Sequence, residues 1–298
     1  MSKSALDTLL DAAILAPSGD NTQPWRFTVD RSAGTIDLRV DASRDPSPMN
    51  SGQRMARIAL GAALENMTQT ADRNGWSYRV ENPPSGALAR FTLDGNPPAG
   101  TIEATLADRN TNRRTYDGRP LSADVLEKLS TKTGSYGSAK SVLITDPATL
   151  ARLVDLVSRA DAIMLGTQAL RNAFLAKVRF DAAPTAEVDH GLSLGSLEVS
   201  LSDRLSLRMM HTLPPPDGLM RALGARRIFS RVASKLASSA SAICLIVKPI
   251  GDSQVAAQEG AVAASPATLD DAQSDLDVGR AWQRLWLELT RQQLAGQP

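Results

Sequence analysis

The sequence predicts an α+β protein built from two pseudo-repeated halves, and three observations carry that expectation. Short stretches of alternating apolar and polar residues between turn-forming clusters read as strands, while longer stretches with apolar residues three and four apart read as helices. Two segments, APSGDNTQPWRFTVD (16–30) and TGSYGSAKSVLITD (133–146), share the order of small polar loop and then strand. Two others, GQRMARIALGAALENM (52–67) and GRAWQRLWLELTRQQL (279–294), share a helix opened by glycine. Each half alone would leave an apolar face uncovered. The economical arrangement packs them as an internal pseudo-dimer around one core, with a ligand site where they meet.

The first half is assigned to residues 1–100. Leu6, Leu9, Leu10, Ala13 and Ile14 recur at helical spacing from Ser4 to Leu15, and Pro17 stops the run. Trp25–Val29 and Ile36–Val40 alternate as two strands, with Ser32, Ala33 and Gly34 as the turn of a hairpin. From Gln53 to Arg73, Met55, Ile58, Ala59, Ala62, Ala63, Asn66 and Met67 line one helical face whose small side chains permit a close neighbour. Tyr78–Val80 and Leu88–Leu93 read as short strands, and Pro97, Pro98 and Gly100 close the half in a loop.

The second half, 101–298, opens with a loop and a helix capped by Ser122 and running to Leu129. A strand over Ser141–Ile144 and a helical pattern over 148–177 follow. Residues 181–227, rich in Pro, Gly, Met and Arg, show no long regular pattern and read as a lid-like insertion. ASAICLIVK (240–248) predicts a fully buried strand, and 279–294 an amphipathic helix.

Composition excludes several classes. A hydrophobic content of 42% fits neither a disordered nor a fibrous chain, and 33 basic against 32 acidic residues create no field to gather nucleic acid or anionic membrane. No run approaches the roughly 18 apolar residues of a membrane span. The start, MSKSALDTLLDAAILAPS, is interrupted by Asp7 and Asp11, unlike a secretion signal. The single cysteine, Cys244, cannot form an internal disulfide or a thiolate cluster, which suits a reducing cytoplasm, and its apolar surroundings predict a core thiol.

Chemistry concentrates in two motifs. Residues 16–27, APSGDNTQPWRF, place Ser18, Asn21 and Gln23 between a helix end and a strand, where amides and carbonyls can face a ligand. Pro24 and Trp25 suit a structural role there. Residues 109–121, RNTNRRTYDGRPL, offer Arg109, Asn110, Thr111 and Arg113, a set of guanidinium forks and polar donors.

The first motif, with Ala16, Pro17, Ser18, Asn21, Gln23, Pro24 and Trp25 at fixed spacing, resembles the Pro-Ser loop of the nitroreductase superfamily. Arg109, Thr111, Arg113 and Tyr116 are similar to that superfamily's Arg motif, which ordinarily precedes the Pro-Ser loop in a unit that dimerises. Here the order is inverted, which resembles the fused, two-half branch that includes the mycobacterial flavoprotein Acg. The resemblance implies a nitroreductase-like fold, mixed and mostly antiparallel sheets flanked by helices. It further implies FMN as cofactor, held by Ser18, Asn21 and Gln23 from one half and Arg109, Asn110, Thr111 and Arg113 from the other. Family members continue past the last helix with a strand and basic residues on the flavin phosphate, whereas the sequence here reaches Pro298.

The expectation is therefore an FMN-dependent oxidoreductase acting on a small conjugated substrate, with NAD(P)H as donor, as a monomer or a homodimer. The flavin does the redox chemistry, so no acid or base residue is assigned. The alternative is an FMN storage or redox-sensing protein beneath a closed lid, without nicotinamide turnover. A third, a dehydrogenase tailoring a natural product, shares the same site. His190 and His211 lack metal spacing, Asp270, Asp271, Asp275 and Asp277 read as a solvated loop and helix start, and Arg226, Arg227, Arg231 and Lys235 as an exposed basic face.

Overall fold

In the computed structural model of the chain, residues 3–83, 86–183, 188–224, 234–248 and 269–298 are described. Helix α1 (Ala5–Ala13) starts on a reciprocal cap: the Asp7 amide donates to Ser4 Oγ at 3.3 Å and the Ser4 amide donates to the Asp7 carboxylate at 2.9 Å. Strands β1 (Trp25–Asp30) and β2 (Thr35–Val40) form the expected hairpin, Trp25 opposite Val40 and Asp30 opposite Thr35. After helix α2 (Arg54–Arg73), strands β3 (Tyr78–Glu81) and β4 (Ala89–Leu93) complete an antiparallel sheet ordered β1-β2-β4-β3. In β4, Ala89, Phe91 and Leu93 point inward and alternate with Arg90 and Thr92. Their face joins Leu6 and Leu9 of α1 and Leu60, Leu64 and Met67 of α2 in the main core.

The second half packs helices around a second, smaller antiparallel sheet. Helix α3 (Ala104–Asp108) leads into α4 (Ala123–Thr133), β5 (Ser135–Tyr136) and β6 (Ala139–Ile144). The helical pattern over 148–177 forms two helices, α5 (Pro147–Gly166) and α6 (Gln168–Leu175), with Thr167 in an extended conformation between them. Segment 181–227 is more regular than its composition suggests. A short parallel pair, β7 (Val178–Arg179) with β8 (Leu192–Ser193), precedes α7 (Leu201–Thr212) and α8 (Asp217–Ala222). The start of α7 carries a Ser200–Asp203 capping box. Strand β9 (Ile243–Val247) pairs antiparallel with β6, giving the order β5-β6-β9. The expected full burial fails because one face of this sheet is open: Leu245 and Val247 are exposed together with Val142, which stands opposite Leu245 on the central strand, and Cys244 is only half-buried. Arg226, Arg227 and Arg231, and part of the 181–227 segment, lie outside the described residues.

The last helix, α9 (Leu269–Arg291), begins well before the expected Gly279 and packs along α2 as the central helix pair. Its glycine has a different counterpart from the one the repeat suggests. Gly52 sits ahead of α2 in a left-handed turn, φ 60°, whereas Gly279 faces Gly61 across the helix crossing. A Cβ on Gly279 would lie 1.9 Å from the Ile58 carbonyl oxygen, and one on Gly61 would lie 2.2 Å from the Leu276 carbonyl oxygen. The backbones meet there with no room for side chains.

Polar staples flank this crossing. Asp275 accepts from Arg57 at 2.6 Å and from Lys248 at 2.6 Å, while Glu65 accepts from Arg280 at 3.0 Å and Arg284 at 2.6 Å. Gln283 donates to Asn66 Oδ1 at 2.7 Å, and Asn66 donates to the Ala12 carbonyl at 2.9 Å. The reading of the acidic cluster as solvated is thus corrected for Asp271, Asp275 and Asp277, which are buried. Partners from distant elements make that burial affordable: Arg57 and Lys248 for Asp275, and the Ser138 amide and hydroxyl for Asp277.

Candidate functional site

The loop after α1 is held in a conformation its residues do not choose by themselves. Asp20 (φ 49°), Asn21 (φ 54°) and Gln23 (φ 48°) all adopt left-handed backbone, half of the six non-glycine residues that do so among the described residues. Such positions cost about 1–3 kcal/mol each, least for Asn, and persist where surrounding contacts over-determine them. Ser18 Oγ provides one such contact by accepting from the Gln23 amide at 2.9 Å. Residues 188–191 provide others. Asn21 Nδ2 donates to the carbonyls of Val188 (3.3 Å) and Gly191 (3.1 Å), the Gly191 amide donates to the Asn21 carbonyl (3.0 Å), and Gln23 Nε2 donates to the Asp189 carbonyl.

The second motif is brought to the same region by a small second core. Leu106 of α3 packs with Ala12 of α1 and Leu287 of α9, and Leu15 and Ile102 close over them. Leu15 precedes the first motif by one residue, and Leu106 stands one turn before Arg109. Arg109 lays its guanidinium over the Trp286 ring, 4.6 Å from the centroid. Its buried Nε has no hydrogen-bond partner among the described residues, and burial pulls the group down to about 10, so it remains a cation at neutral pH. The segment that follows runs beside the chain end, the Asn112 amide donating to the Gly296 carbonyl at 2.9 Å.

Arg113 turns towards the first motif. Its Nη1 donates to the Ser196 carbonyl at 2.9 Å, and it feels the Asp20 carboxylate, which opposes the downward pull of burial on its guanidinium. Arg114 pairs with Glu198 at 2.9 Å. The structure thus gathers Ser18, Asn21 and Gln23 into one hydrogen-bonded unit and brings Arg113 to its edge. Asn110 is exposed and donates to the Asp108 carbonyl at 3.1 Å, while Thr111 is half-buried. Among the described residues no hydrogen bond or ion pair joins Arg109, Asn110 or Thr111 to the Ser18–Gln23 loop.

Sequence reasoning missed Lys177, Asp20 and Asp45. Lys177 Nζ lies 2.5 Å from the buried Asp45 carboxylate and 3.7 Å from that of Asp20. Burial raises the Asp20 carboxyl above its usual 3.8; Lys177 opposes the shift and Asp45 reinforces it. Asp20 could have been found inside the first motif. Lys177 gives no local signal, because both of its partners are more than a hundred residues away.

The other candidates have ordinary surroundings. His190 Nε2 is 3.2 Å from Arg179 Nη1, and the His211 ring stacks on Phe180 at 4.6 Å. No cluster of three or more metal-ligating side chains occurs among the described residues, and no helix among them is long and apolar enough to cross a membrane. Burial pushes the Cys244 thiol up, away from nucleophilic character.

No family model matches the chain. Over 222 residues, 72% of its length, the chain is 27% identical to the uncharacterized protein MT1398 of Mycobacterium tuberculosis (strain CDC 1551 / Oshkosh). The match spans 30% of that longer protein.

Proposed function

We propose that the chain binds FMN between its two motifs and works as an FMN-dependent oxidoreductase of nitroreductase type on a small conjugated substrate, with NAD(P)H as electron donor. The observation that carries this reading is Arg109. Arg109 is only partly buried, but its guanidinium lies against the Trp286 ring and its buried Nε has no hydrogen-bond partner among the described residues, where a carboxylate or carbonyl ordinarily stands. A phosphate supplies the charge and acceptor oxygens that the group lacks, so the donor set fits the cofactor that the sequence motifs imply.

When bound, FMN supplies electron and hydride transfer through its isoalloxazine ring. The protein's part is to bind and orient. Arg109 would hold the phosphate, and Thr111 and Arg113 would add donors along the same segment. The Ser18–Gln23 loop, already fixed in its shape, would meet the cofactor through those groups of Ser18, Asn21 and Gln23 that residues 188–191 and the loop itself do not engage. Since both motifs lie in one chain, the internal pseudo-dimer would complete a site without a second copy.

A second reading, FMN storage or redox sensing beneath a closed lid, is favoured by one observation. The side-chain amides of Asn21 and Gln23 are engaged by the carbonyls of Val188, Asp189 and Gly191, so this segment covers the loop. Anaerobic mixing of FMN-loaded protein with NADPH or NADH separates the two. Bleaching by either nicotinamide supports turnover, whereas bleaching by dithionite alone supports storage. Failure to retain FMN after loading and desalting would remove both.

A further inference from the structure

We infer that Lys177 is a positioning residue: a pin that holds the Ser18–Gln23 loop in its left-handed form and ties that loop to the segment lying over it. Four observations lead there. First, the lysine is nearly buried, with 12% of its side chain exposed, and it bridges two carboxylates from different loops. Second, one of those carboxylates belongs to Asp20, the first of the three left-handed residues. Third, the other, Asp45, is itself fixed: the Ser47 amide donates to its carboxylate at 3.4 Å, and Asn50 and Gln53 both donate to its carbonyl at 3.2 Å. Fourth, the Lys177 carbonyl accepts from the Leu192 amide at 2.9 Å, which starts the β7–β8 pair immediately after the pin.

The chain of cause is local. Asp45 is an anchor on the first half, and Lys177 brings the second half to it. The ammonium then draws the Asp20 carboxylate inward, although burial and Asp45 both resist its ionisation. With Asp20 fixed, the Asn21 and Gln23 amides meet the carbonyls of residues 188–191. Removing the ammonium leaves Asp45 without its cation and Asp20 with the Arg113 charge alone, and the lost bridge then releases the strained loop. Nothing in this step depends on a ligand. Its consequence for FMN affinity does, and that part rests on the reading proposed above.

Hydrogen exchange on the unloaded full chain tests the pin by itself. In Lys177→Met, exchange at the amides of Asn21, Gln23 and Gly191 is expected to quicken by about tenfold or more, the scale of losing a buried charged contact, while amides in the α2–α9 pair keep their rates. Lys177→Arg should restore most of the protection, since it keeps the charge. Unchanged exchange at those three amides in Lys177→Met overturns the inference, and so does equal quickening throughout α2 and α9, which would mark a merely structural lysine. FMN titration of the same variants is the second readout. If the wild type binds FMN, Lys177→Met should weaken it by about tenfold through loss of the preorganised loop. If the wild type does not bind FMN, the functional proposal fails while the exchange result still decides the role of Lys177.

Discussion

Adding a single methyl group at Gly279 tests the packing on which both halves depend. Two effects compete in Gly279→Ala. Alanine favours helix over glycine by about 1 kcal/mol, which on an exposed helix would stabilise the protein. Here the new Cβ would lie 1.9 Å from the Ile58 carbonyl oxygen, against an ordinary contact of 3.4 Å or more. The obstacle is backbone, which cannot rotate aside, so α2 and α9 must separate by about 1.5 Å, and core overpacking of this kind costs about 1–3 kcal/mol or more. Separation also lengthens the Arg280–Glu65 and Arg284–Glu65 bonds, now 3.0 and 2.6 Å. A net loss of about 2 kcal/mol follows, or about 3 °C in Tm for a chain of this size. Gly218→Ala in α8 is the control, since a Cβ there meets nothing within 4 Å. It should be neutral or stabilise by up to about 1 kcal/mol. Urea denaturation of both variants gives the comparison, and a Gly279→Ala protein as stable as the wild type would refute the close-approach argument.

Three further outcomes are expected. Asp275→Ala leaves Arg57 and Lys248 without their shared carboxylate and should cost about 3–5 kcal/mol in urea denaturation; a loss below about 1 kcal/mol would mean that the staple is idle. Because the folded Asp20 carboxyl titrates above 3.8, the folded state retains a proton that the unfolded chain has released, and this residue's contribution to stability falls as pH rises from 3.8 through the raised value. Asp20→Asn should remove that decline and flatten the pH–stability profile in this window, and an unaltered profile would count against a raised Asp20 carboxyl. Arg109→Ala should weaken FMN by about tenfold or more, the usual range for losing a charge-assisted phosphate contact, with little change in Tm; undiminished affinity would remove Arg109 from the site.

The elements of the first half were legible because their partners are near in sequence. The hairpin from Trp25 to Val40 and the small-residue face of α2 each carry their own periodicity and turn chemistry. Where the reading failed, the deciding partner lay far away. Asp275 reads as a solvated residue until Arg57 and Lys248 arrive from other elements, so the first turns of α9 were taken for a loop. The pairing of Gly61 with Gly279 follows from how two helices cross, which periodicity does not specify. Helix α7 is a different case: its Ser200–Asp203 capping box is a local signal, but it stands in a segment whose Pro and Gly content predicts irregular structure. Of the expected residues, Ser18, Asn21 and Gln23 share one hydrogen-bonded loop, while Arg113 bonds to the Ser196 carbonyl and reaches that loop only through the charge of Asp20. Asn110 fits the motif but faces solvent, and Lys177 could be recognised only once Asp20 and Asp45 had been brought to it.

The central claim is that the two motifs hold FMN, and an absorbance spectrum tests it most directly. Purified protein is incubated with excess FMN, desalted and scanned. The account predicts retained bands near about 370 and 450 nm, the absorbance of a bound oxidised flavin, at close to one flavin per chain. A colourless protein after loading, with its folded Tm intact, would contradict it.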